Sequence, residues 1–273
     1  MRWIPDWVIY ALVLGVVLWA VFSGGSDDAP PPPPEAIQQE GAMLPPPSAF
    51  DERVLVQVTA PKSGIGTAFA INGEGQWMTA RHVVDGCNEV ALLVAPGHYA
   101  PATRVIVSEQ FDLALIETET SPNPASLNTE DDLRLGAYGF HVGYPQGRPG
   151  EAASRLLSRS NLISRGRRSN SESVLAWAET GRTRGLLGSL GGLSGGPVYD
   201  ESGNVRGVIV AESARRGRIY TAAPEAVAEF IKATGADVQG EPPESFSTAS
   251  YGNQADLARR SLQVVKVACS VED

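Results

Sequence analysis

A serine sits among glycines in Gly192-Leu193-Ser194-Gly195-Gly196-Pro197. That setting suits attack on a carbonyl, which needs backbone N–H groups aimed at the oxyanion that forms and a chain path lying close to the substrate. Glycine supplies the path, because it adopts positive φ without a Cβ penalty. A serine hydroxyl is a weak nucleophile near neutral pH and needs a neighbouring base. Two upstream segments offer the rest of such a system. Thr79-Ala80-Arg81-His82-Val83-Val84 holds a histidine, and Phe111-Asp112-Leu113-Ala114-Leu115-Ile116 holds an aspartate in an apolar run. Imidazole titrates at about 6.5, close to working pH. A carboxylate beside it fixes the tautomer and steadies the imidazolium. An aspartate flanked by apolar residues is costly to bury unless paired, and His82 is the expected partner. The chemistry these residues suit is acyl transfer. Ser194 would be the nucleophile, His82 the general base and Asp112 its orienting carboxylate, with the Gly192 and Ser194 amides facing the oxyanion. Each has a plainer reading alone: a Gly/Ser turn, a half-buried histidine, an aspartate ending a strand. Their conjunction, in this order and in these contexts, favours chemistry.

Further segments extend the pattern: Gly64-Ile65-Gly66-Thr67-Ala68-Phe69-Ala70-Ile71, the turn Gly143-Tyr144-Pro145-Gln146-Gly147, and Gly203-Asn204-Val205-Arg206-Gly207-Val208-Ile209-Val210. With the His82, Asp112 and Ser194 segments, they make residues 54–235 resemble a trypsin-like serine protease of the HtrA (Deg) type. The resemblance implies an all-β fold of two perpendicular six-stranded β-barrels with a C-terminal helix and an active site in the cleft between them. It also implies protein or peptide substrates. HtrA-type proteases usually carry PDZ domains after the protease domain. The stretch after Gly235 is too short for one, so peptide sensing of that kind is not carried over. By the same resemblance Gly188 lies near the floor of the substrate pocket and Ala211 and Glu212 line a wall, with Glu212 narrowing it. Glycine at the floor points to a small or medium apolar residue before the cleaved bond. The glycine density of 181–192 predicts an oxyanion loop that is mobile at rest.

Local patterns agree. Residues 54–58, 90–94 and 104–107 are short β-branched runs bounded by turn formers, which read as strands. Residues 223–231 read as a helix, with proline in its first turn, where a missing N–H costs nothing. Ala226, Val227, Phe230 and Ile231 share its apolar face. After the Glu241-Pro242-Pro243-Glu244 stretch, 254–262 reads as a short helix and Val265, Val267, Cys269 and Val271 alternate like a strand. This tail is expected to dock on a barrel rather than recruit a partner.

The first 22 residues set the expected address. Residues 7–22 carry no charge or proline and span roughly 24 Å as a helix. The flanking tryptophans extend this to the membrane interfaces. Ala20-Val21-Phe22 lacks a small-x-small cleavage site, which favours a single transmembrane anchor over a cleaved signal peptide. Arg2 precedes the span and Asp27 and Asp28 follow it, so the rest of the chain is expected outside the cytoplasm, in a bacterial periplasm. Residues 23–50, with prolines at 30–34 and 45–47, read as an extended linker. The expected layout is therefore 1–22 anchor, 23–50 linker, 51–235 protease domain and 236–273 C-terminal extension.

With 31 acidic against 22 basic residues the net charge is −9. Arg165-Gly166-Arg167-Arg168 is the densest basic cluster and reads as a solvated loop, so nucleic acid is not an expected partner. Three scattered histidines have no ligand spacing, and neither metal nor cofactor is expected. Cys87 lacks the glycine-rich setting of a nucleophile. In an oxidising compartment it is a disulfide candidate with Cys269. The alternative from another class is a catalytically idle protease-fold scaffold of the cell envelope that binds a partner protein. Such proteins usually lose a triad residue, and this chain keeps all three.

Overall fold

The computed structural model describes residues 41–130, 132–166, 169–242 and 245–272. The expected anchor at 7–22 and most of the 23–50 linker lie outside the described residues. Among the described residues, no helix is long and apolar enough to cross a membrane.

The fold is mostly β, in two sheets of seven strands. In chain order these are β1 (Glu52–Val58), β2 (Gly64–Ala70), β3 (Gln76–Thr79), β4 (Glu89–Ala95), β5 (His98–Pro101), β6 (Arg104–Val107), β7 (Ala114–Glu117), β8 (Tyr138–Gly143), β9 (Gly150–Gly166), β10 (Asn170–Arg182), β11 (Pro197–Tyr199), β12 (Val205–Ser213), β13 (Arg218–Ala222) and β14 (Val264–Ser270). The helices are α1 (Arg81–Val84), α2 (Pro224–Thr234) and α3 (Tyr251–Arg260).

Each sheet holds one strand more than the six expected, and each addition comes from a chain end. The C-terminal sheet runs β1-β9-β10-β13-β12-β11-β8, and β8 also pairs with β9, which closes the strands β8 to β13 on themselves. Strand β1 is the addition, lying parallel to β9 from Glu52↔Ser160 to Val58↔Gly166. Just before it, the Gly41 and Leu44 amides donate to the Leu135 and Leu133 carbonyls at 2.5 and 2.8 Å, and Leu44 is buried. Residues 41–44 of the segment expected as linker are thus paired with the stretch 133–135 that leads into β8.

The N-terminal sheet runs β5-β4-β14-β2-β3-β7-β6. Its third member comes from the tail: β14 is antiparallel to both β2 and β4. The period-2 pattern of the tail is the cause, since Val265, Val267 and Cys269 all face inward and are buried. Cys269 is bonded to Cys87, their Cα atoms 5.5 Å apart. Before β14, helix α3 packs on β8 and β9. Phe246 stacks on Tyr199 and Phe140 with ring centroids 4.7 and 5.6 Å away, and Tyr251 lies 5.7 Å from Phe140. Buried Arg259 pairs with buried Glu151 at 2.8 Å and with Asp256 at 2.5 Å. A buried charge pair of this kind is tolerated only when hydrogen-bonded, and Arg259 Nη1 also donates to the Gly150 carbonyl at 3.1 Å. The tail therefore touches both sheets.

Helix α2 extends to Thr234. Pro224 occupies its first turn, and Gly235 ends it in the left-handed conformation (φ 68°), with its N–H on the Ile231 carbonyl.

Candidate active site

Three elements deliver the three chemical side chains to one cleft. His82 sits in α1, a single turn between β3 and β4. Arg81 pins this turn, its Nη1 donating to the Ser108 carbonyl at 2.5 Å and its Nε to Asp85 at 3.2 Å. Asp112 ends the turn between β6 and β7. Ser194 follows the glycine-rich loop that leads into β11. His82, Asp112 and Ser194 line a common cavity of about 750 Å³.

Asp112 grips His82 twice. Its Oδ2 lies 2.6 Å from the imidazole Nδ1, and its Oδ1 accepts the His82 backbone N–H at 2.9 Å. That bond assigns the Nδ1 proton to the Asp112 side and leaves Nε2 as the basic nitrogen. Burial pulls the pKa of His82 down. The charge and hydrogen bond of Asp112, with a further contribution from the charge of Glu172, push it up, and the net shift is upward from 6.5. No hydrogen bond joins the Ser194 hydroxyl to His82 in this structure. Contacts of this type are often long before substrate binds and tighten in the complex.

The backbone around Ser194 is clamped. The Gly191 carbonyl accepts from the Gln146 N–H at 2.5 Å. In a planar trans peptide the next N–H points the opposite way, so the Gly192 N–H is turned from Gln146. The Leu193 carbonyl likewise accepts from Gly196 N–H at 3.0 Å, which turns the Ser194 N–H away from that bond. Neither the Gly192 nor the Ser194 amide has a protein acceptor among the described residues. Gly192 needs its glycine: φ is +98°, and a Cβ would stand 2.6 Å from the Tyr144 carbonyl oxygen. At Gly195 (φ +84°) a Cβ would meet the Thr67 carbonyl oxygen at 2.1 Å.

The loop expected to be mobile is held by side chains on three sides. Gln146 Nε2 donates to the Leu187 and Ser189 carbonyls, both at 2.8 Å. Arg182 Nη1 donates to the Gly188 carbonyl at 2.9 Å. Glu212 accepts the Leu190 N–H at 2.7 Å and the Ser189 hydroxyl. Gln146 and Glu212 from outside the glycine run, and Arg182 from its start, thus hold a backbone that its composition alone would leave loose.

Ala211 and Glu212 line the cavity, and Gly188 does not. Gly188 is exposed, at φ +75°, in a stretch that turns outward with Leu187 81% exposed. The resemblance places Gly188 near the pocket floor; here its carbonyl accepts from Arg182 Nη1. His141 is fully buried with Nε2 2.7 Å from Ser154 Oγ, and burial lowers its pKa to about 3, so it is a neutral core residue.

Two site residues were not singled out by the sequence, Thr67 within the Gly64–Ile71 segment and Glu172 outside every quoted motif. Thr67 ties the halves together on the serine side: its N–H donates to the Ser194 carbonyl and its Oγ1 to the Gly192 carbonyl, both at 2.8 Å. Glu172, on β10, does so on the aspartate side. Both its carboxyl oxygens lie 3.1 Å from the Asp112 N–H. Burial, then the charge of Asp112, raises its pKa to about 8, against the opposing pull of the Asp112 N–H bond and the charges of His82 and Arg81. The signal was a carboxylate at the inward register of a strand that continues with Val174 and Ala176.

Two sheets facing a cleft, with a histidine–aspartate pair on one and a glycine-framed serine on the other, define a chymotrypsin-like hydrolase architecture. The chain belongs to the trypsin-like peptidase domain family, which matches residues 66–208. Among curated proteins, an uncharacterized protein y4bJ of Sinorhizobium fredii is 33% identical over 155 residues, covering 55% of this chain and 22% of that protein. A probable periplasmic serine endoprotease DegP-like of Halomonas elongata is 25% identical over 148 residues, covering 54% of this chain and 29% of that protein. The chain thus matches less than a third of the length of either relative. Of solved structures, the inactive form of the Rv3671c protease superposes with a TM-score of 0.51 at 25% identity, covering 63% of this chain and 84% of that one. The relatives include DegP-like serine endoproteases, and the family is one of peptide-bond hydrolases.

Proposed function

We propose that this protein is a serine endopeptidase that cleaves protein substrates through an acyl-enzyme. The observation that carries the reading is the 2.6 Å His82–Asp112 contact on the wall of the cavity that also holds Ser194. Ser194 Oγ attacks the scissile carbonyl carbon while His82 Nε2 takes its proton. The Gly192 and Ser194 amides hold the oxyanion. The intermediate collapses as His82 returns the proton to the leaving amine, giving an ester on Ser194. Water, deprotonated by His82, then attacks the ester, and the released Ser194 oxygen recovers a proton from His82.

The sequence adds an address: an extracytoplasmic domain on a single-pass inner-membrane anchor. The periplasmic names among the relatives support that side of the membrane. Glu212 spans from β12 to the loop before the serine, which supports a small residue before the cleaved bond.

A fluorophosphonate probe tests the reading. Wild type is expected to label and Ser194→Ala not to. The labelling rate is expected to fall as pH drops through a titration above 6.5, because an elevated His82 pKa means the base is lost earlier on acidification. Absence of wild-type labelling at any pH would instead favour the idle scaffold.

A further inference from the structure

The β9–β10 hairpin belongs to the C-terminal sheet, yet its end reaches the turn that presents Asp112. That turn satisfies three of its own amides locally. Gln110 and Phe111 N–H both donate to Ser108 Oγ, at 3.3 and 3.1 Å. The Ser108 N–H returns to the Leu113 carbonyl at 2.9 Å. The Asp112 N–H is different, because its acceptor is the Glu172 carboxyl of the other sheet. Asn170, two residues earlier on β10, donates from its side chain to the Gln110 carbonyl of the same turn. Together with the Thr67 bonds to Ser194 and Gly192, these contacts bracket the triad from both ends.

The His82–Asp112 pair is carried by one sheet and Ser194 by the other. Serine-to-imidazole distance is therefore set by how the sheets are registered, not by either alone. Resting on the serine-protease reading above, we infer that Glu172 is a positioning residue: its buried carboxyl holds the Asp112 backbone from the opposite sheet and so sets the imidazole against Ser194. It touches neither substrate nor reacting atoms. Asp112, His82 and Arg81 are the charged groups nearest it, and Lys62, Asp85 and Glu109 line the same cavity. The acceptor role survives either protonation state, since a protonated carboxyl keeps an acceptor oxygen. Misplacing a reacting pair by about 1 Å costs on the order of 100-fold in rate, which makes a single tether at this point consequential.

The full-length chain, with Glu172→Gln and Glu172→Met, tests this through the second-order rate of Ser194 labelling by a fluorophosphonate and through melting temperature. Gln keeps an amide oxygen for the Asp112 N–H, whereas Met keeps the volume and offers no comparable acceptor. The Met variant is expected to label about 10- to 100-fold more slowly, and the Gln variant within about threefold of wild type, with both folded at the assay temperature. If the Met variant melts too low, Glu172→Asp, which withdraws the acceptor by one methylene, replaces it with the same expectation. A Met or Asp variant that labels at the wild-type rate overturns the inference, as does a Gln variant as slow as the Met variant. Failure of the wild type itself to label would instead strike the protease reading.

Discussion

The two sheets are assembled in opposite ways. Strands β8 to β13 of the C-terminal sheet come from one continuous stretch and close on themselves through β8–β9, and they hold Ser194 in the loop between β10 and β11. The N-terminal sheet, which carries His82 and Asp112, has a strand from the end of the chain between β2 and β4. That strand is also bonded through Cys269 to Cys87, five residues beyond His82. The nucleophile half is thus local in sequence, and the acid–base half depends on a contact 182 residues away. Damage to the tail should reach the histidine before the serine.

Removal of residues 261–273 is the severest way to test that contrast. Val264, Val265 and Val267 are fully buried. Each stabilises by about 1.5–3 kcal/mol, and the lost disulfide adds roughly 2–5 kcal/mol. The sum rivals the whole stability of a typical domain, about 5–15 kcal/mol. Hydrogen exchange should show residues 64–117 losing protection while β9 and β10 keep theirs, with labelling of Ser194 abolished. Uniform protection in the truncated chain would erase the distinction between the halves.

A smaller effect probes where the halves meet. Glu172 has a folded-state pKa near 8 against 4.5 for the free side chain. Between those values the folded state holds a proton that the unfolded state has released, so this group lowers stability as pH rises from 4.5 to 8. Glu172→Gln removes the titration. Wild type and variant should melt alike near pH 4.5, and the variant should be the more stable by roughly 2–5 kcal/mol at pH 9. Parallel curves across that range would mean the carboxyl is not burdened by burial.

Least in size, Glu212→Ala should release the link from β12 to Ser189 and Leu190. Relative kcat/KM for leucine over alanine before the scissile bond should rise about tenfold, as room for extra methylenes opens. An unchanged preference in a peptide library would remove Glu212 from specificity.

What was readable beforehand follows the same division. The Ser194 turn, the His82 and Asp112 segments and the alternating tail were legible because each is a local pattern with a chemical or periodic reason. The place of β14 in the sheet was not, since periodicity reveals a strand but not its neighbours. Glu172 and Thr67 were missed because their roles lie in partners more than 50 residues away. For Gly188, distance along the chain from the serine says nothing about which way the arginine-held loop turns. The docked residues 41–44 were hidden by the proline-rich composition around them.

The most direct test of a triad shared between the sheets is the structure of the protein inhibited by a peptidyl phosphonate. The account predicts phosphorus bonded to Ser194 Oγ, a phosphoryl oxygen within hydrogen-bond reach of the Gly192 and Ser194 amides, and His82 still on Asp112 with Nε2 turned to the adduct. An adduct on another residue, or His82 swung away from both Asp112 and Ser194, would contradict it.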